Sequence, residues 1–384
     1  MKKIFILFLA LLTAFLITCN KDEPAPAPAG LYDDFEVPAF SDDPLPSDDI
    51  SASELVAKIR IGWNLGNTLD ANPDETSWGN PKTKKSNIDA IKAAGFNAVR
   101  IPVSWSHHVD GSNNIDANFM NRVKEIVGYA IDNDMYILLN THHDEGKFKF
   151  KDSEMTASKA AFRKIWEQIA DNFKDYNLRL IFEGLNEPRT VGSQAEWSGG
   201  TAEERGNLNA MEQIFVDTVR ASGGKNTNRV LMVSTYAASA EQAAMSDVKL
   251  PTDSSNKKNK LIVSIHAYSP YEFALKPTKD GGIATWSSSN SNDTSGVKTP
   301  LDRAYATFVS KGIPVIFGEF GALNKDNEAV RAKWAEYYVS YAKSKNIPCF
   351  WWDDGGDFKL LNRANNSFYF PIIKNALIKG SISD

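Results

Sequence analysis

The chain has 384 residues, 42% of them hydrophobic and 24% charged, and a formal net charge of −5. That is the make-up of a soluble globular protein with one large domain or two small ones. A negative balance with no basic run excludes the electrostatic footprint of a nucleic-acid-binding protein. Nine tryptophans and twelve tyrosines supply rings that can stack on flat, hydroxylated ligands, although the core is the usual home of an aromatic.

In chain order, the first segment is MKKIFILFLALLTAFLITC, with two lysines, fourteen mostly apolar residues and Thr18-Cys19. The apolar run is too short for a membrane-spanning helix and has the layout of a secretory signal. Its Leu-Ile-Thr-Cys ending resembles a bacterial lipobox, which implies removal of residues 1–18 and lipidation of Cys19; a simple signal peptide cut nearby is the alternative. The following Asn20-Lys21-Asp22-Glu23 resembles the acidic tag of some Gram-negative surface lipoproteins. The expected location is therefore the outer membrane or cell surface, with membrane contact only through the lipid. Cys349, left without a partner, reads as a small buried thiol.

Residues 20–50 contain six prolines, nine acidic side chains and one lysine. Such a segment lacks the apolar surface to fold alone, so 19–50 reads as a flexible acidic linker and 51–384 as the folded domain.

From Ser51 onward, strand-like and helix-like segments alternate. The strand-like runs are RIGWNLG from Arg60, AVRIPV from Ala98, MYILLNTHH from Met135 and RLIFEGLNE from Arg179. RVLMVSTY from Arg229, LIVSIHAY from Leu261, PVIFGEFG from Pro314 and CFWWDDG from Cys349 complete the set. Most are continuous apolar runs, as expected of parallel strands covered on both faces. Between them, Phe119, Val123, Ile126 and Ala130 share one helical face, as do Phe162, Ile165, Ile169 and Phe173, and Val330, Trp334, Tyr337 and Tyr341. Eight βα units predict a single α/β (β/α)8 TIM barrel rather than an open doubly wound sheet. There is no G-x-G-x-x-G, Walker, H-E-x-x-H or EF-hand motif, and no cofactor or metal is expected.

Catalytic groups of such barrels sit at the C-terminal ends of the strands. Here those ends carry Arg100; His142 and His143; Asn186 and Glu187; His266 and Tyr268; Glu319; and Trp351 and Trp352. Two carboxylates without a metal signature suit acid catalysis and nucleophilic attack on an acetal, and a separation of about 5 to 5.5 Å gives retention of configuration. The charge of Glu319 is expected to raise the pKa of Glu187, with Arg100 and Tyr268 steadying Glu319. Glu183 lies four residues before Glu187, about 13 Å deeper along the strand. Buried there it needs an ion pair, with Arg60 or Arg100.

The stretches GWNLGNTLD, NAVRIPVSW, NTHHD, IFEGLNEPR, SIHAYSP, IFGEFGA and FWWDDG, in that order from Ile61 to Gly355, resemble glycoside hydrolase family 5, and more narrowly its subfamily 4 of β-1,4-glucan endo-hydrolases. The resemblance implies Glu187 as acid/base and Glu319 as nucleophile, with Arg100 and Tyr268 steadying the latter. It implies Asn186 on the sugar 2-hydroxyl, His142 and His266 lining the cleavage subsite and Trp352 as its platform, with His143, Asn67 and Trp105 as further substrate contacts. The implied partner is a β-glucan, cellulose-type, with xyloglucan or mixed-linkage glucan as the alternative; a monomer is expected, although no motif reads out the oligomeric state.

Other readings of these residues are weighed against this one. Arg100 could serve only to neutralise Glu183, and His266 could be a satisfied core histidine. His142 and His143 could bind a metal, but neighbours on a strand point to opposite faces. Trp78, Trp197 and Trp286 fall in loops, where they either stack sugars or pack locally, and TWSSSNSNDTSG from Thr285 reads as a mobile loop at the cleft edge. A surface glycan-binding lipoprotein without catalysis is the rival from another class.

Overall fold

A computed structural model describes residues 30–383 except positions 33, 42 and 256–258. The signal segment and Cys19 lie outside the described residues. Eight strands, β1 (Gly62–Leu65), β2 (Ala98–Ile101), β3 (Tyr136–Asn140), β4 (Leu180–Glu183), β5 (Leu231–Ser239), β6 (Leu261–His266), β7 (Val315–Phe320) and β8 (Cys349–Asp353), pair in parallel in sequence order. β8 closes onto β1 through Gly62 opposite Phe350 and Asn64 opposite Trp352, completing the (β/α)8 barrel.

Helix α1 (Ala52–Lys58) precedes the barrel, and α2 (Lys85–Ala93), α3 (Ala117–Ile131), α4 (Met155–Phe173) and α5 (Ala202–Ala221) follow β1 to β4 in turn. The short α6 (Gln242–Ser246) follows β5, α7 (Tyr271–Ala274) and α8 (Ser291–Thr307) follow β6, and α9 (Glu328–Ser344) and α10 (Pro371–Ile382) follow β7 and β8. Ser51 and Glu54 cap α1 reciprocally, and Thr201 and Glu204 do the same for α5, meeting amides that the first helical turn leaves unpaired.

The period of two along each strand separates two cores. On β4, Leu180 and Phe182 join the layer beneath the helices, whereas Ile181 points inward with Met232, Ile262, Ile316 and Phe350. Phe350 fills the lower barrel so fully that a Cβ on Gly62 would lie 2.0 Å from its ring. Leu55, Val56 and Ile59 extend the same inner cluster, so α1 caps the floor. The polar mouth is left at the opposite end.

The stretch expected to be a flexible linker is docked over its described part. The Tyr32 hydroxyl donates to Glu336, Phe40 lies 3.6 Å under the Arg60 guanidinium, and Asp43 receives bonds from Lys58 at 2.7 Å and from Tyr136. Lys260 reaches the backbone carbonyls of Asp48 and Ile50. Few apolar residues suffice because this segment borrows a finished barrel surface instead of building a core.

Three local expectations also change. On α9 the buried face runs through Trp334, Tyr338 and Val339, while Tyr337 and Tyr341 stack parallel on the half-exposed side. The serine-rich stretch from Thr285 is not simply a loop, since Asn290 caps α8 and helix starts at Ser291. β5 runs on to Ser239 through an irregularity at Ala237 and Ala238, whose φ values are +54° and +47°. Cys349 is a buried free thiol, as expected.

Asp43 links the docked segment to three basic or hydroxyl partners. Burial raises its pKa, but Lys58 and Tyr136 outweigh this and the net shift is downward. Asp43→Ala is therefore expected to lower the unfolding free energy near pH 7 by about 1–2 kcal/mol. Read by urea denaturation, the difference should vanish as pH falls below the ordinary aspartate value of 3.8, where the folded-state advantage of a depressed carboxyl is lost.

Candidate active site

One buried guanidinium organises the mouth. Arg100 of β2 is fully buried and donates to Glu183 through Nε at 2.7 Å, to Glu319 and Asn64 through Nη1 at 2.7 and 3.1 Å, and to Asn186 through Nη2 at 2.6 Å. Glu183 also accepts from Ser264 at 2.7 Å and Asn140 at 3.0 Å. Its deep carboxylate is thus a structural ion pair with Arg100. Arg60, the other candidate, lies instead against Phe40. Arg100 therefore serves both Glu183 and Glu319, and burial, which opposes its charge, is outweighed by these two carboxylates.

Glu319 is reached by a change of register. The ladder between β6 and β7 shifts after Ile265, placing Glu319 opposite His266. The Tyr268 hydroxyl donates to Glu319 at 2.7 Å, and burial together with that carboxylate raises the tyrosine pKa well above its usual value, so it remains a donor. Gly318 is required here because a Cβ would come within 2.9 Å of His266 Nε2.

Glu187 faces the same histidine. His266 Nδ1 lies 2.9 Å from Glu187 Oε1 and 3.7 Å from Glu319 Oε1. Ligand-type atoms of Glu187, His266 and Glu319 all fall within 4.8 Å of one another. The expectation that Glu319 raises the Glu187 pKa is not met. Burial does push it up, but the hydrogen bond and charge of His266, then Arg189 and Arg100, outweigh burial and give a net lowering. The contact with His266 and the guanidiniums of Arg189 and Arg100 set the direction.

Arg189 was the larger omission, although it closes the family stretch IFEGLNEPR. It donates to the Glu187 carbonyl at 3.0 Å and is fixed by Glu145 and Glu196 at 3.0 Å each. The ring of Trp197 lies 4.7 Å beneath it.

The remaining residues line the rim, with one exception. His142 and His143 do not point to opposite faces. β3 ends at Asn140, and past the pleat their rings sit 4.4 Å apart at 78°. Burial, then His143, holds His142 well below its ordinary pKa and so neutral, whereas Glu145 offsets burial and raises that of His143. Trp352 faces the mouth, its ring parallel to that of His142 at 5.8 Å. Trp351 packs outward against Trp334 and Phe320. Asn67 stands on the loop after β1 with φ of +52°.

Trp105 is the exception. It is 0% exposed, donates to the Asn140 carbonyl at 2.9 Å and packs on Phe119, so it cannot touch substrate in this structure. Of the loop tryptophans, Trp286 packs on Tyr337, while Trp78 and Trp197 are 43% and 60% exposed.

Asp70, His142 and His143 also bring ligand-type atoms within 4.8 Å. Both Asp70 oxygens are taken by the amides of Thr68 and Asn67 at 2.6 and 3.0 Å, an arrangement that fixes a turn.

The family model for cellulase (glycosyl hydrolase family 5) matches residues 65–357. Endoglucanase A of Clostridium longisporum is 46% identical over 352 residues, covering 86% of this chain and 66% of its own length. A GH5-4 broad specificity endoglucanase from Ruminococcus champanellensis with bound cellotriose superposes with a TM-score of 0.83 at 46% identity, covering 86% of this chain and 99% of that one. A GH5 family lichenase from Caldicellulosiruptor sp. F32 gives 0.83 at 40% identity, covering 90% and 99%.

Because Glu183 is wholly buried, removing its cation leaves an uncompensated charge. Arg100→Leu is expected to cost about 3–5 kcal/mol of stability, measurable by denaturant unfolding, and far more than Lys58→Leu at the solvated Asp43 pair.

Proposed function

This chain belongs to glycoside hydrolase family 5, within subfamily 4, and on that footing we propose that it is a retaining endo-β-1,4-glucanase. The observation that carries the reading is the convergence of Glu187 and Glu319 on one imidazole nitrogen, 2.9 and 3.7 Å away. Inverting enzymes hold their carboxyls about 6.5–9.5 Å apart to admit a water, and retaining ones about 5–5.5 Å apart. Oxygens within 4.8 Å fit the second class.

In the first step Glu319, aimed by Arg100 and Tyr268, attacks the anomeric carbon while Glu187 gives a proton to the departing glycosidic oxygen. The C1–O bond to the leaving sugar breaks and a glycosyl ester on Glu319 forms. In the second step Glu187 takes a proton from water, whose oxygen displaces Glu319 and restores the original anomeric configuration. His266 Nδ1 lies 2.9 Å from Glu187 Oε1 and holds the acid/base carboxyl in place beside the departing oxygen.

Arg100 occupies the Asn186 Oδ1, which leaves the amide NH2 to bind the sugar 2-hydroxyl. His142 and His266 would line the cleavage subsite, Trp352 would lie under the sugar, and His143 and Asn67 would contact it from the rim. A lipidated Cys19 would hold a monomeric enzyme on the outer membrane, reached by export across the inner membrane, with the mouth facing the glucan.

The lichenase among the structural neighbours favours a second reading, the same chemistry with preference for mixed-linkage glucan; xyloglucan would need room for its branches. Initial rates on a panel of purified glucans separate these. Glu187→Ala and Glu319→Ala should each lower kcat on soluble β-glucan by at least about 10³-fold while the circular dichroism spectrum is unchanged, and proton NMR should show the β-anomer formed first. Substantial hydrolysis by either variant, or initial α-anomer, rejects the mechanism. Lack of reducing-sugar release by the unaltered protein would leave a glycan-binding role.

A further inference from the structure

Beyond β4 the Gly184 amide still bonds to the Met232 carbonyl of β5 at 2.9 Å, and the backbone from there on must deliver Asn186 and Glu187 accurately. Asn186 N bonds to the Thr141 carbonyl at 2.9 Å, and the Thr141 hydroxyl to the Gly184 carbonyl at 2.8 Å. From the other side, the Ser234 hydroxyl donates to the Leu185 carbonyl and lies 3.2 Å from that of Asn186. Ser234 is itself fixed from behind, since its amide donates at 2.9 Å to Oε1 of Glu212.

Glu212 lies on α5, 2% exposed, and its second oxygen has no hydrogen-bond partner. That oxygen rests on Gly184, where a Cβ would come within 2.5 Å of it. A carboxyl buried in the helix layer with one oxygen unmatched is costly as mere packing. One oxygen holds Ser234, whose hydroxyl holds the Leu185 carbonyl, and the other lies against Gly184.

We propose that Glu212 is a positioning residue of the reaction, acting through Ser234 and Gly184 to set the backbone that carries Asn186 and Glu187. The inference rests on Glu187 being the acid/base.

The surroundings of Glu212 favour its neutral carboxyl. The charged group that faces Glu212 is Glu183 of β4; from β5 it meets the Ser234 amide, and around Gly184 lie Phe215 of α5 and Trp166 of α4. Burial, and then Glu183, push its pKa up to about 8 against the opposing Ser234 amide. Ionisation would place another negative charge beside a layer whose cation, Arg100, already answers to Glu183 and Glu319.

The test compares kcat and KM on soluble β-glucan between pH 5 and 9.5 for the unaltered enzyme, Glu212→Leu and Glu212→Gln. Leucine removes the acceptor for Ser234, and kcat should fall about 10- to 10²-fold, the cost of slight misplacement, with KM within about twofold because the other binding groups are untouched. Glutamine restores the acceptor and is neutral at every pH, so it should recover most of kcat and hold it above pH 8, where the unaltered enzyme declines.

Stability supplies a second readout. A carboxyl at about 8 when folded and 4.5 when unfolded keeps its proton only in the native state between those values. Stability from this group is complete below 4.5 and is lost as pH rises through 8. The melting temperature of the unaltered enzyme should therefore drop more between pH 5 and 9 than that of Glu212→Gln. Unchanged kcat in Glu212→Leu, or an alkaline limb in Glu212→Gln identical to the original, overturns the proposal; should the leucine variant not fold, the glutamine profile decides alone. Failure of the acid/base assignment would appear separately, as turnover by Glu187→Ala.

Discussion

A charge cannot lie unpaired inside a barrel, and the upper half of this one is built around that constraint. Arg100 is fully buried, and its guanidinium meets Glu183 below, Glu319 above and Asn186 to the side. A guanidinium suits this place because its planar fork offers several donors in fixed directions, where an ammonium would offer a point charge. Coulombic gain inside a protein does not by itself make such a pair favourable against its desolvation. What the network secures is geometry, since Glu183 of β4, Asn186 just beyond that strand and Glu319 of β7 share one rigid partner. The nucleophile candidate and the deep structural acid are therefore mechanically the same unit.

The lower half obeys a different rule. Ile181, Met232, Ile262, Ile316 and Phe350 fill the interior, and α1 with Ile50 closes it. Water is thereby kept from the floor, and the apolar layer beneath makes the ionic layer above expensive to disturb. The segment ahead of α1 lies along this closed end, with Asp43 tied to Lys58, Tyr136 and Arg179.

Between these layers the proton chemistry of the mouth is collective. Glu187 sits beside His266, Arg189 and Arg100, and its acidity follows from all three together with its burial. Tyr268 and His142 are pushed in opposite directions by burial, one remaining a hydroxyl and the other an uncharged imidazole. Polar groups with well-separated proton affinities in one cleft are what stepwise proton transfer needs.

The sequence by itself determined the barrel, its strand order and the residues at the strand mouths, because continuous apolar runs and helical periodicity are local properties of the chain. It also placed Glu187 at the rim and Glu183 below it, since the pleat advances by a fixed rise per residue. Tertiary structure alone decided what surrounds them. Trp105 turned inward onto Asn140 and Phe119 because the chain past β2 folds back over α3. His142 and His143 came side by side because the pleat had already ended. Arg189, only two residues from Glu187, acquired its meaning from Glu145 and Glu196, and the docked segment 30–50 from a surface built by residues far along the chain. Periodicity reports which face a residue takes; which partner waits there depends on contacts between distant segments, and no local pattern encodes those.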